Sequence, residues 1–169
     1  MHQHTAYIAF GSNLGDKLAT CREAMAALGA TDGIRLLAQS PFYRTEPVDY
    51  LDQAWFVNAV AGIETRLQPL DLLAALQAIE TAAGRTRGGA ARFGPRTLDL
   101  DILFYDALVL DTPELVLPHP RMHKRRFVLK PMCDINPQFL HPVLQRNVQD
   151  LLDSLAESGQ GVFRIQCDC

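Results

Sequence analysis

Strand-like and helix-like hydrophobic periods alternate along this chain in the order strand, helix, strand, strand, helix, strand, and that order most restricts its fold. Ala6 to Phe10 is a short apolar run that stops at Gly11 and reads as a buried strand. Asp16 is placed to cap a helix whose apolar face is Leu18, Cys21, Met25 and Leu28, with Gly29 as its stop. Ile34 to Ser40 reads as a second strand and Phe56 to Thr65 as a third. Pro69 suits the first position of a second helix, and Leu72, Leu73, Leu76, Ile79 and Ala83 form its stripe before Gly84. Thr97 to Tyr105 is the clearest strand.

This order resembles a ferredoxin-like sandwich, an α+β fold with helices packed on one face of an antiparallel sheet. That topology hosts enzymes, RNA-binding modules and metal carriers, so function has to come from the site. A chain of 169 residues, 48% of them hydrophobic, fits one domain spanning 1–169. Its core is expected over about 6–155, with 158–169 a tail beyond a last helix marked by Val148, Leu151, Leu152 and Leu155. Pro118-His119-Pro120 leads into a short basic helix ending near Pro131. A loop of roughly 12 residues carrying Pro41 and Pro47, and a second with Gly88, Gly89, Gly94 and three arginines, are long enough to be functional lids.

No apolar run approaches the ~18–20 residues of a membrane span, and the first residues lack the apolar stretch of a signal peptide, so a cytoplasmic monomer without membrane contact is expected. Cys21, Cys133, Cys167 and Cys169 form no C-x-x-C pair; Cys167 and Cys169 read as free thiols in a frayed tail. The net charge of -3 argues against nucleic-acid binding. Of 16 basic residues only Lys17, Lys124 and Lys130 are lysines, and seven arginines lie between Arg85 and Arg126. A GC-rich genome accounts for the total; the clustering inside an acidic chain points to a compact polyanion gripped by guanidinium forks.

Along Thr97–Phe104 the period is two, so Leu98, Leu100, Ile102 and Phe104 are expected on one face and Asp99 with Asp101 on the other. Two carboxylates roughly 6.5–7 Å apart on a strand repel by about 2–3 kcal/mol at an effective dielectric near 20. A divalent cation, or two magnesium ions completed by a triphosphate, removes that cost. The alternative is a solvated strand face, and the arginine-rich loop just before it favours metal and phosphate. Gly11 to Asp16 matches no nucleotide-binding motif and reads as a turn with a helix cap. Gln77 and Glu80 share one side of the second helix, and Phe56 and Asn58 project from one surface of the third strand, a pair suited to a flat polar heterocycle or to a half-buried strand. His119 and His123 have helical zinc spacing, but Pro120 between them and the lack of a third ligand make phosphate contact the simpler role for His119. No serine or cysteine nucleophile signature is present.

Several segments, taken in order, carry a family likeness. Ala6 to Asp16 (AYIAFGSNLGD), Phe42-Tyr43-Arg44-Thr45, Phe56 to Val60, Arg92 to Ile102 (RFGPRTLDLDI) and Leu117 to Met122 together resemble 6-hydroxymethyl-7,8-dihydropterin pyrophosphokinase of the folate pathway. The resemblance covers roughly residues 6–155 and implies a ferredoxin-like core that transfers pyrophosphate from ATP to the pterin hydroxymethyl group, releasing AMP. It implies two magnesium ions on Asp99 and Asp101, and a pterin ring between Phe56 and Phe127, its edge bonded by Asn58 and backbone near Thr45. Glu46, Val48, Phe93 and Asp99 would border the pterin, and Arg85 and Arg96 would stabilise charge on the transferring group. Arg87, Arg96 and Arg125 would hold the ATP phosphates, with Gln77, Glu80, Ile102 and His119 bordering the nucleotide.

The chain departs from some members of that family. Phe56 and Phe93 stand where others carry tyrosine and tryptophan, Glu46 where proline also occurs, and Pro120 where others have an aromatic. Glu114 and Val116 replace residues that in some members are basic and hydroxylic and contact ATP. Rival readings are a nucleotidyl- or monophosphoryl-transferase using the same metal pair, an RNA-binding ferredoxin-like module, and a non-catalytic pterin or nucleotide carrier.

Overall fold

The first apolar run becomes the spine of a sheet, because both of its faces are buried and both of its edges are paired. The computed structural model describes residues 3–47, 54–84, 97–155 and 161–166. In chain order these form β1 (His4–Ser12), α1 (Lys17–Gly29), β2 (Ile34–Gln39), β3 (Tyr43–Thr45), β4 (Phe56–Thr65) and α2 (Pro69–Ala82). There follow β5 (Asp99–Tyr105), the two-residue β6 (Leu110–Asp111) and β7 (Val116–Leu117), a 3-10 turn at Met122–Lys124, α3 (Arg126–Ile135), α4 (Val148–Asp153) and β8 (Val162–Arg164). Among the described residues no helix is long and apolar enough to cross a membrane.

The strand order β5-β1-β4-β2 is the antiparallel ferredoxin-like core. β1 lies between β4 and β5, while β2 and β3 pair successively along the far edge of β4. Asp16 caps α1 as expected, its carboxylate accepting from the Ala19 N–H at 3.2 Å.

Helices cover both faces, not the single face expected. Cys21, Met25 and Leu28 of α1 and Leu72 and Leu76 of α2 bury one side with Ile8, Phe10, Leu100 and Ile102. Val128, Leu129 and Met132 of α3 and Val148 and Leu151 of α4 bury the other with Tyr7, Val60, Leu103 and Phe104. α3 continues past Pro131 to Ile135. A proline inside a helix costs about 3 kcal/mol, whereas fully burying each of those three side chains stabilises by about 1.5–3 kcal/mol. Packing therefore outweighs the break.

Two further differences have local causes. Tyr7 pairs with Phe104 but Ile8 with Ile102, so Leu103 is an extra residue in β5. This bulge sends Phe104 to the α3 face, away from Leu98, Leu100 and Ile102 with which strict alternation had grouped it. The loop expected after β2 contains β3, and residues 161–166, expected as part of a tail, contain β8, which pairs with β3. Both strands are three residues long, too short for a periodic signal.

Candidate active site

Across the sheet, Asp99 of β5 lies opposite Gly11 of β1, Gly11 opposite Asn58 of β4, and Asn58 opposite Tyr43 of β3. Residues in one cross-strand row point to the same face, and the row beside it, Asp101, Ala9 and Val60, belongs to the face covered by α3. Asp99 and Asp101 do share a side, because the β5 bulge falls after both of them. With strands spaced about 4.8 Å apart, the Asp99 and Asn58 backbones are roughly 10 Å apart, with only the bare Cα of Gly11 between them. A Cβ at Gly11 would come within 3.0 Å of the Asn58 amide nitrogen. The glycine thus makes room for the Asn58 amide and the Phe56 ring, which lie over it on the same face as Asp99.

At the amide half, Asn58 is 6% exposed and fixed at both ends. Its Oδ1 accepts from the Thr45 hydroxyl at 2.5 Å, and its Nδ2 donates to the Phe10 carbonyl at 3.2 Å. Phe56, two residues earlier on β4, and Phe127, in the first turn of α3, are half-buried on the same side of the sheet. The guanidinium of Arg125 lies 5.5 Å from the centre of the Phe127 ring.

At the carboxylate half, His119 follows β7 and is tied to the outer edge of β5 by its N–H, which donates to the Leu103 carbonyl at 3.0 Å. Its Nδ1 accepts from the Arg121 N–H at 3.2 Å, so the neutral ring carries its proton on Nε2. That nitrogen lies 3.9 Å from Asp101 Oδ2. Burial first, and the neighbouring Arg125 cation second, push the imidazole down to about 4 against the opposing pull of Asp99. His119 is thus a neutral N–H donor at pH 7.

Glu80 is 3% exposed, and its carboxylate accepts from the Leu100 N–H at 2.9 Å. It fills a hydrogen-bonding position on an edge strand, between the two aspartates. Glu80→Ala should destabilise the fold by about 1–3 kcal/mol by orphaning that N–H, whereas Glu80→Gln, which keeps an acceptor, should recover most of the loss. Urea unfolding of both variants checks this. Gln77 is half-buried one turn earlier on α2, and Ile102 is 3% exposed, its side chain packed in the core between the sheet and α1 and α2.

The described residues thus bring together Thr45, Phe56, Asn58, Asp99, Asp101, His119, Arg125 and Phe127 at one end of the sheet's α3 face. Val48, Arg85, Arg87, Phe93 and Arg96 lie outside the described residues. Glu46 is engaged with Gly161, whose N–H donates to its Oε1 at 3.0 Å. Among the described residues no three His, Cys, Asp or Glu side chains gather as a complete metal cage. Asp99 and Asp101 nevertheless fit magnesium, which keeps waters and phosphate oxygens in its shell and needs only one or two carboxylates.

Sequence reasoning assigned no role to Tyr43, Asn13 or Lys17. Tyr43 is buried opposite Asn58, and its hydroxyl donates to Asp134 of α3, tying that helix to the floor. Burial and the Asp134 carboxylate push the phenol well above its usual range. Lys17 Nζ donates to the Trp55 carbonyl at 2.8 Å and Asn13 Nδ2 to the Ala54 carbonyl at 3.4 Å. None of the three belongs to a period that sequence could reveal.

Residues 7–137 match the model of the family described as 7,8-dihydro-6-hydroxymethylpterin-pyrophosphokinase. A 2-amino-4-hydroxy-6-hydroxymethyldihydropteridine pyrophosphokinase of Methylorubrum extorquens is 42% identical over 154 residues, which cover 91% of this chain and 95% of that protein. The folic acid synthesis protein fol1 of Schizosaccharomyces pombe is also 42% identical over 154 residues, but this chain spans only 21% of its length. A solved HPPK-DHPS in complex with substrates superposes with a TM-score of 0.71 at 14% identity, covering 90% of this chain and 43% of that one, and shows the likeness of fold.

Proposed function

This chain belongs to the 7,8-dihydro-6-hydroxymethylpterin-pyrophosphokinase family, and we propose that it transfers the pyrophosphoryl group of ATP to 6-hydroxymethyl-7,8-dihydropterin, releasing AMP, in folate synthesis. The observation that carries the residue-level reading is the row Asp99–Gly11–Asn58 with Asp101 in the row beside it, which sets a carboxylate pair and a fixed amide on one face of the sheet, two strands apart. Asp99 and Asp101 hold magnesium, two ions with the triphosphate bound. When bound, the metal neutralises phosphate charge and makes the β-phosphorus more electrophilic.

The chain's own residues do the rest by position and charge, as phosphoryl chemistry requires. Phe56 and Phe127 flank the pterin ring, and Asn58 reads its edge with an amide that Thr45 and Phe10 hold in one orientation. His119 donates its Nε2–H to a phosphate oxygen, and Arg125 beside it adds positive charge. Arg85, Arg87 and Arg96 supply further guanidinium groups to the phosphates, while Val48 and Phe93 border the pterin. In the balanced reaction the pterin hydroxyl oxygen bonds to the β-phosphorus, the α–β bridge breaks with AMP as leaving group, and one proton is released.

The test is incubation with ATP, magnesium and the hydroxymethyl-dihydropterin, with both products identified. AMP and a pterin diphosphate are expected. ADP or free pyrophosphate as the nucleotide-side product would overturn the reading, and no turnover without magnesium is the companion expectation.

A further inference from the structure

β8 lies beyond residue 137, where the match to the family model ends, yet it is built into the sheet beside the proposed pterin pocket. β3 has three residues and pairs along one side with Phe56–Asn58 of β4. A strand that short is marginal with one side unpaired. β8 supplies the other side, with Tyr43 opposite Arg164, Arg44 opposite Phe163 and Thr45 opposite Val162. The pairing is extended at both ends, where the Ile165 N–H donates to the Phe42 carbonyl at 2.8 Å and the Glu46 N–H to the Gly161 carbonyl at 3.0 Å.

Two contacts reach from β8 and the glycine just before it to Glu46 and Trp55. Glu46 grips Gly161 twice: its N–H donates to the Gly161 carbonyl, and its Oε1 accepts the Gly161 N–H. A Cβ at Gly161 would fall 2.2 Å from that oxygen and 2.9 Å from Phe163 Cε2, so any side chain there has to push the Glu46 carboxylate out of its place. A proline at 46 would have no N–H to give. On the other side, the Phe163 ring stacks on Trp55 with centroids 6.0 Å apart and planes at 14°, while the Arg44 guanidinium lies 4.7 Å from the Trp55 ring centre. Trp55 directly precedes Phe56, and Thr45 directly precedes Glu46.

We propose that β8 is a positioning element of the pterin site, with Gly161 and Phe163 setting Thr45, and through it Asn58, together with Phe56, by way of Glu46 and Trp55. This rests on the pterin assignment above. Neither residue touches the reacting groups, so their loss should weaken the pterin half of the site and spare the ATP half.

Trp55 is the chain's single tryptophan, so its fluorescence reports the Phe163 stack without ambiguity. In the full-length chain, Phe163→Ala should shift Trp55 emission to the red and raise KM for the pterin about 10-fold, with KM for ATP changing less than about twofold. Phe163→Tyr should restore both readouts. Gly161→Ala, which displaces the Glu46 carboxylate and so loosens its grip by a different route, should raise the pterin KM in the same direction and carries the test if Phe163→Ala does not fold. An unchanged pterin KM in variants with folded far-UV spectra would overturn the proposal, as would equal rises in both KM values or unaltered Trp55 emission in Phe163→Ala. Failure of the unsubstituted chain to make AMP would count against the functional reading, a result distinct from any of these.

Discussion

Asp99→Asn is expected to lower kcat by at least about 10³-fold while leaving the fold intact, and Asp101→Asn to do the same. Removing one preorganised electrostatic group at a reacting centre typically costs about 10²–10³-fold, and here the same change also removes a metal-binding charge. The asparagine side chain has nearly the shape of aspartate, and β5 is held by its ladder to β1 and by Glu80 beneath Leu100, neither of which needs the Asp99 charge. Stability should therefore hold, or rise slightly. Two carboxylates on alternate residues repel in the metal-free protein, but Asp101 is 41% exposed and water screens most of that repulsion, so the gain from removing it is small. The paired signature, a Tm equal to or above that of the parent with turnover nearly gone, separates loss of a metal ligand from loss of structure. Activity above a tenth of the parent's at saturating magnesium would rule out the assigned role.

Asn58→Ala is expected to raise KM for the pterin by roughly 100-fold, equivalent to about 2.7 kcal/mol, with KM for ATP nearly unchanged. Asn58 is the side chain whose amide lies over Gly11, two strands from Asp99, and its orientation is set by one accepted and one donated hydrogen bond. Truncation removes the edge contact to substrate and leaves the Thr45 hydroxyl, 1% exposed, without the acceptor it has in Asn58. Each unsatisfied buried group costs about 1–3 kcal/mol, so urea unfolding should also show a loss of about 2 kcal/mol. Steady-state kinetics with each substrate varied in turn decides the matter. If KM for ATP rises as much as KM for the pterin, the division of the floor into a phosphate half and a heterocycle half is wrong.

Period-two spacing was enough to show that Asp99 and Asp101 share a face, because nothing between them disturbs the strand. The same rule misassigned Phe104, three residues beyond Asp101, because Leu103 bulges out of register with β1. A bulge is a property of two paired strands and leaves no mark in one of them. Phe56 and Asn58 were legible as neighbours on β4 for the same reason that the aspartates were. That they face the aspartates, and not the opposite side of the sheet, depends on the register of β4 with β1 and of β1 with β5.

What the chain's sequence by itself determined is local. Its alternation of periods prescribes the strand and helix order, its capping and proline positions set the helix starts, and its motif segments carry the family. These are legible because hydrogen bonding, capping and amphipathic spacing act within a few residues of one another. Only the tertiary structure decided that α3 and α4 cover the second face, that Gly11 makes room for the Asn58 amide between β4 and Asp99, and that Glu46 and Trp55 are held by Gly161 and Phe163. Each of those rests on contacts between residues far apart in the chain, whose free energy comes from burial and pairing that exist only once the sheet has closed.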